Sequence, residues 1–122
     1  MLDMIFYPAN EQPPHYVELS EDISKWLAKS EFFKIGKSVT IKMVIDKEEE
    51  KLPLVKLSKD NRKKLRAFLL EAISQESDNI LSQLGDSPSK QEYQDATYLL
   101  RKLQELRKCV ENENYKYLQR VV

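Results

Sequence analysis

Cysteine, histidine and glycine are nearly missing from this chain: Cys109 and His15 stand alone, and there are two glycines in 122 residues. A lone cysteine excludes an internal disulfide and a Cys-based zinc site. A lone histidine excludes a His-based triad combined with a metal site, and any paired-histidine helix motif. Scarce glycine speaks against catalytic loops, which need close backbone approach and positive φ. Lys+Arg and Asp+Glu are equal at 20 each, so no global field steers the chain onto DNA or an anionic membrane. No apolar run approaches the roughly 20 residues that span a bilayer. Met1–Pro8 lacks a basic leader and carries Asp3, unlike a signal peptide. A cytoplasmic protein without a cofactor or metal is the expectation.

What is present suits a globular fold. Hydrophobic residues make up 41% and charged residues 33%, enough for one core, and a single domain over 1–122 is expected. Its first part, 1–57, reads as β-rich with one short helix. Its second, 58–122, reads as a helical hairpin.

Leu2–Tyr7 alternates as a strand, and Pro8 closes it. Residues 8–16, holding Pro8, Pro13 and Pro14, read as a loop. Ser20 caps a helix over 21–29, with Glu21 and Asp22 in its first turn and Ile23, Trp26 and Leu27 at helical spacing. Phe32–Ile35 reads as a strand joined by a Gly36-Lys37 turn to the alternating Ser38–Ile45. Lys47–Lys51 reads as a charged, solvated turn. Leu52–Leu57 follows as an edge strand, since Pro53 cannot donate to a ladder. The expected fold class is α+β: an antiparallel meander of three or four strands with a short helix, packed on a long C-terminal two-helix hairpin.

From Ser58 the apolar period becomes 3.6. The first helix runs to about Leu84, where Gly85 and Pro88 break it, and the second runs from about Ser89 to Lys116 or beyond. Apolar positions spread over roughly 220° of the first helix and about 120° of the second. This places the first between the sheet and the second. The first helix is basic at its start and acidic beyond Glu71. An antiparallel partner brings Glu111 and Glu113 to the basic end, and Arg101 and Lys102 to the acidic end. A second helix of 28 residues would be about 42 Å long, against a radius of gyration of about 14 Å for a domain of this size. Either an end projects or the helix breaks near Asn112–Asn114.

Few motifs carry chemistry. Gly36-Lys37-Ser38 resembles the tail of a phosphate-binding loop, but the position that needs its first glycine is Glu31. His15 reads as an exposed loop residue and Cys109 as an inert thiol. The acidic residues lack an apolar setting that would tune a general acid, so no enzyme is expected.

Two surfaces remain. The basic cluster around Lys59, Arg62, Lys63 and Arg66 could hold phosphate at a helix N-terminus. In element order alone, Phe32–Ile73 loosely resembles single-strand-binding transcriptional coactivator domains. It lacks the glycines and aromatics such domains carry between strands. Nucleic-acid binding is the second reading. The first is a protein–protein interaction or regulatory module, self-associating through a projecting hairpin end that bears Tyr115, Tyr117, Leu118, Val121 and Val122.

Overall fold

The computed structural model describes residues 2–8, 12–45, 47–84 and 88–120. Within them, β1 (Leu2–Pro8), β2 (His15–Leu19), β3 (Ser38–Ile45), β4 (Glu48–Lys56) and β5 (Tyr115–Arg120) form one antiparallel sheet in the order β2-β1-β5-β4-β3. The helices are α1 (Glu21–Lys29), α2 (Lys59–Gln83) and α3 (Lys90–Glu111). The α+β class holds, with five strands in place of three or four.

Serines start all three helices. The hydroxyls of Ser20, Ser58 and Ser89 accept from the backbone N–H of Ile23, Asn61 and Glu92, satisfying donors that a helix start leaves unpaired. The helices and one sheet face enclose a core of Met4, Phe6, Val17, Leu19, Phe32, Val55, Leu65, Leu69, Leu103, Leu106, Val110 and Leu118, among others.

Several sequence expectations change. First, β2 occupies part of the expected loop. Only the Pro13-Pro14 pair is excluded from a ladder; Tyr16 to Leu19 alternates, with Val17 and Leu19 buried and Tyr16 and Glu18 exposed. Second, Glu31–Phe33 is a 3₁₀ turn, not a strand. Burial of Phe32 against Phe68, with ring centroids 5.8 Å apart, outweighs its strand propensity. Gly36 therefore serves no hairpin. Its φ of +75° lets the backbone pass so close to β4 and α2 that an added Cβ would lie 2.7 Å from Val55 Cγ1.

Third, the charged stretch 47–51 is mostly strand. β3 and β4 pair without interruption from Ser38↔Val55 to Ile45↔Glu48, so the connection is two residues long, and Lys47 takes a φ of 67° there. The edge strand is β3, and β4 lies inside it. Among the described residues β4 pairs with β5 only at Val55 and Lys56, so Pro53 sits where no donor toward β5 is used. The distal part of β3 and β4 is thus a two-stranded ribbon.

Fourth, the second helix ends at Glu111, Asn112–Asn114 turn, and the tail returns as β5 between β1 and β4. Of the two outcomes that helix length allowed, the break is the one found. Nor is α2 a middle layer. α3 touches β2 itself, and Leu70 and Leu81 on the wide apolar band of α2 are exposed, Leu81 by 78%. The expected helix stop at Gly85 and the charge of Asp86 lie outside the described residues.

Candidate functional site

The first candidate is the basic cluster at the start of α2. Lys59, Arg62, Lys63 and Arg66 recur on one face of the helix, and together with Val110, Glu111 and Glu113 they line a cleft of about 430 Å³. Two of its four cations are already engaged. Arg62 Nε donates to the Leu57 carbonyl at 2.9 Å, and Nη1 donates to the carbonyls of Val110 at 2.8 Å and Asn112 at 3.0 Å. Its Nη2 donates to the Tyr115 carbonyl. These acceptors include carbonyls at the end of α3, which have no partner within the helix. Burial lowers the Arg62 pKa from its usual value, opposed in part by Glu113.

Arg66 pairs with Glu111 at 3.1 Å, and Arg107 pairs with the same carboxylate at 2.7 Å. Partial burial acts to raise the Glu111 pKa, but hydrogen bonds from Arg107 and Arg66 outweigh it and the value falls below the usual carboxylate range. The expected pairing of the basic end with Glu111 is therefore present. Arg101 and Lys102 instead bond within α3, to the Gln94 carbonyl and to Glu105. Lys59 and Lys63 are the cleft's cations without a polar partner among the described residues.

The second candidate, the expected apolar tail, is consumed by the fold. Leu118 is 0% exposed, in register with Phe6 on one side and Val55 on the other. Tyr115 is half-buried, its ring 5.8 Å from that of Phe6, and burial raises its pKa. Tyr117 is half-buried in register with Tyr7 and Lys56. Val121 and Val122 lie outside the described residues. Arg120, which drew no attention in the sequence, donates to the carbonyls of Phe32 and Ile35 at 2.7 Å and Gly36 at 3.1 Å. It anchors the segment leading into β3, and burial lowers its pKa.

His15 is on β2, not in a loop, 3.6 Å from Glu105 of α3. Cys109 is buried, and its thiol is pushed up to about 11 by burial and then by Glu105, which leaves it protonated and unreactive at neutral pH. Among the described residues, no three His, Cys, Asp or Glu side chains gather as a metal site would require. A smaller cleft of about 210 Å³ lies between Trp26, Ala72, Gln75 and Leu103.

A surface that sequence reasoning missed is the sheet's other face. Side chains alternate along a strand, so cross-strand partners share a face. Val55 belongs to the core, and its partner Ser38 fixes Ser38, Thr40, Lys42 and Val44 on the helix side. Val39, Ile41, Met43 and Ile45 then point away from the helices, the first two across from Leu54 and Leu52 of β4 and the last two across from Glu50 and Glu48. Tyr7, Tyr16 and Tyr117 continue that face across β1, β2 and β5. Tyr7 is 5% exposed, and its hydroxyl donates to Gln119 Oε1 at 2.7 Å. Burial, then Tyr16 and Glu50, raise its pKa. The signal was the strict alternation of Ser38–Ile45, which names an apolar face without naming what covers it.

No protein-family model, no curated protein and no solved structure matches this chain.

Proposed function

We propose that this chain is a small, non-catalytic protein–protein interaction module of the cytoplasm that binds through the β3–β4 ribbon. The observation that carries the reading is β3: an eight-residue strand at the end of the sheet order with apolar side chains on both faces. Val39 is 45% and Val44 50% exposed. A free edge presents unpaired backbone donors and acceptors, and extended partners recognise such edges by adding a strand.

The other surfaces are weaker grounds. Leu81 and Tyr93 on the distal half of the hairpin are exposed, and a few exposed apolar side chains are ordinary on a globular protein. The basic cleft spends Arg62 and Arg66 inside the fold and opposes a polyanion with Glu111 and Glu113. The non-catalytic part rests on the shifted groups. Burial or structural contacts raise Tyr7, Cys109 and Tyr115 and lower Glu111, each away from the half-ionised state a general acid or base needs near neutral pH, while Arg62 and Arg120, lowered by burial, are spent on backbone carbonyls.

The test is site-specific photocrosslinking of the full chain in living cells. A photoreactive residue at Val39 is expected to give a discrete adduct that an added Ile41→Lys change abolishes, whereas one at Leu81 gives none. Adducts of equal yield from both positions, or none from Val39, overturn the reading.

A further inference from the structure

The two ends of the sheet are built differently. At one end, β2 is five residues long, directly follows Pro13-Pro14, carries Glu18 and lies against α3, with His15 Nε2 3.6 Å from Glu105 Oε1. Short length, proline and charge are the usual means of stopping a sheet edge from pairing. At the other end, β3 is eight residues long, with no proline, no glycine and no register shift against β4. Its one charge is Lys42. A chain that guards one edge and leaves the other open presents that second edge for pairing.

We infer that the occupant of the β3 edge is the β3 of a second copy, paired antiparallel about a two-fold axis that passes beside Ile41. The inference rests on the interaction-module reading and names its partner. The choice of occupant comes from β3's self-complementarity. A two-fold axis perpendicular to the sheet keeps the apolar side of both copies on the same side, so only registers pairing residues of the same face are allowed.

Among these, the register centred on Ile41 sets Ile41 against Ile41 of the second copy, Val39 against its Met43, Ser38 against its Val44, and Lys42 against its Thr40. Val39, Ile41 and Met43 on the apolar side then meet apolar partners, Ile45 extends past the ladder because its partner position is Lys37, outside β3, and Lys42 faces a hydroxyl. Centring on Lys42 sets two lysines face to face, a destabilising pair. Centring on Thr40 leaves both Met43 and Ile45 of the apolar side unpaired and shortens the ladder. Within each copy Lys42 stands directly across from Lys51 of β4, with Glu49 diagonal to it on the same face. The helix side of β3 is exposed at Ser38, Thr40, Lys42 and Val44, so no helix blocks the approach. With formal net charge +0, the copies carry no net repulsion.

The product is a ten-stranded sheet continuous through both copies, since each contributes five strands. Its apolar side joins Val39, Ile41, Met43 and Leu52 of the two ribbons into one surface.

Two measurements on the full chain test this. Light scattering over a concentration series is expected to rise toward twice the monomer mass, and Ile41→Lys is expected to hold the chain at the monomer mass with an unchanged circular-dichroism spectrum. In a Cys109→Ala background, Ile41→Cys is expected to form a covalent dimer on mild oxidation, and Lys42→Cys and Thr40→Cys far less of it. A strict monomer at all concentrations, or crosslinking that favours Lys42→Cys or Thr40→Cys over Ile41→Cys, overturns the pairing. A monomer whose Val39 photoadduct contains a different protein overturns self-pairing alone and leaves the interaction module standing. A monomer with no adduct removes both.

Discussion

Arg62 Nη1 donates to the Val110 carbonyl at 2.8 Å, tying the first turn of α2 to the last turn of α3 across 48 positions of sequence. The same guanidinium holds the carbonyls of Leu57, Asn112 and Tyr115. One side chain therefore fixes the end of β4, the end of α3 and the start of β5. The backbone bond from Leu57 N–H to the Lys116 carbonyl, 2.8 Å, closes the same junction.

Arg62→Ala is expected to destabilise the fold by about 2–4 kcal/mol, because it removes charge-assisted bonds and strands partly buried carbonyls. Arg62→Lys keeps the charge, but its compact ammonium cannot span four acceptors in a plane, so it recovers less than half of the loss. Denaturant unfolding of the three proteins measures both. A pure phosphate-binding role would leave stability unchanged.

Leu118→Ala is expected to cost about 2–5 kcal/mol, the range for deleting a buried leucine side chain. A residue held in reserve for a partner would instead lower binding and spare the isolated chain. Thermal and denaturant melts of the isolated protein decide which occurs.

Gly36→Ala meets two obstacles at once. A φ of +75° is costly for any residue with a Cβ, and the added atom would lie 2.7 Å from Val55 Cγ1 and 3.0 Å from Asn61 Nδ2. A loss of about 1–3 kcal/mol is expected. Hydrogen exchange should show it centred on the start of β3 and the N-terminus of α2.

Cys109 gives the fold a dependence on alkaline pH. Its thiol moves from 9.0 when unfolded to about 11 when folded, so the fold prefers the neutral form. The associated stability is fully present below pH 9 and is lost as pH rises from 9 through about 11, because the unfolded thiol ionises first. Wild type should lose stability relative to Cys109→Ala over that window. At neutral pH, alkylation of Cys109 should be slow and should accelerate on unfolding.

Local chemistry made much of this protein legible in its sequence. Serines at positions 20, 58 and 89 stand before acidic or apolar-periodic runs, so the helix starts follow from capping alone. The alternation of Ser38–Ile45 marks a strand because side chains on a pleated chain repeat every two residues. The grouping of Lys59, Arg62, Lys63 and Arg66 is helical spacing, and the structure keeps all four on one cleft.

Tertiary structure decided the rest. Nothing local to Tyr115–Arg120 separates a helix end from a strand. The segment becomes β5 because the open sides of β1 and β4 offer it two ladders and a buried place for Leu118, beyond what one more helical turn provides. Phe32 leaves the strand class for the same reason, burial against Phe68. The role of Arg62 was equally hidden, since its four carbonyl acceptors come together only when α2, α3 and β5 meet. Sequence by itself determined the three helix starts, the extended run Ser38–Ile45 and the basic face at the start of α2. Folding determined which surfaces are satisfied within the chain, and among the described residues it left β3 at the end of the sheet with no strand on its outer side.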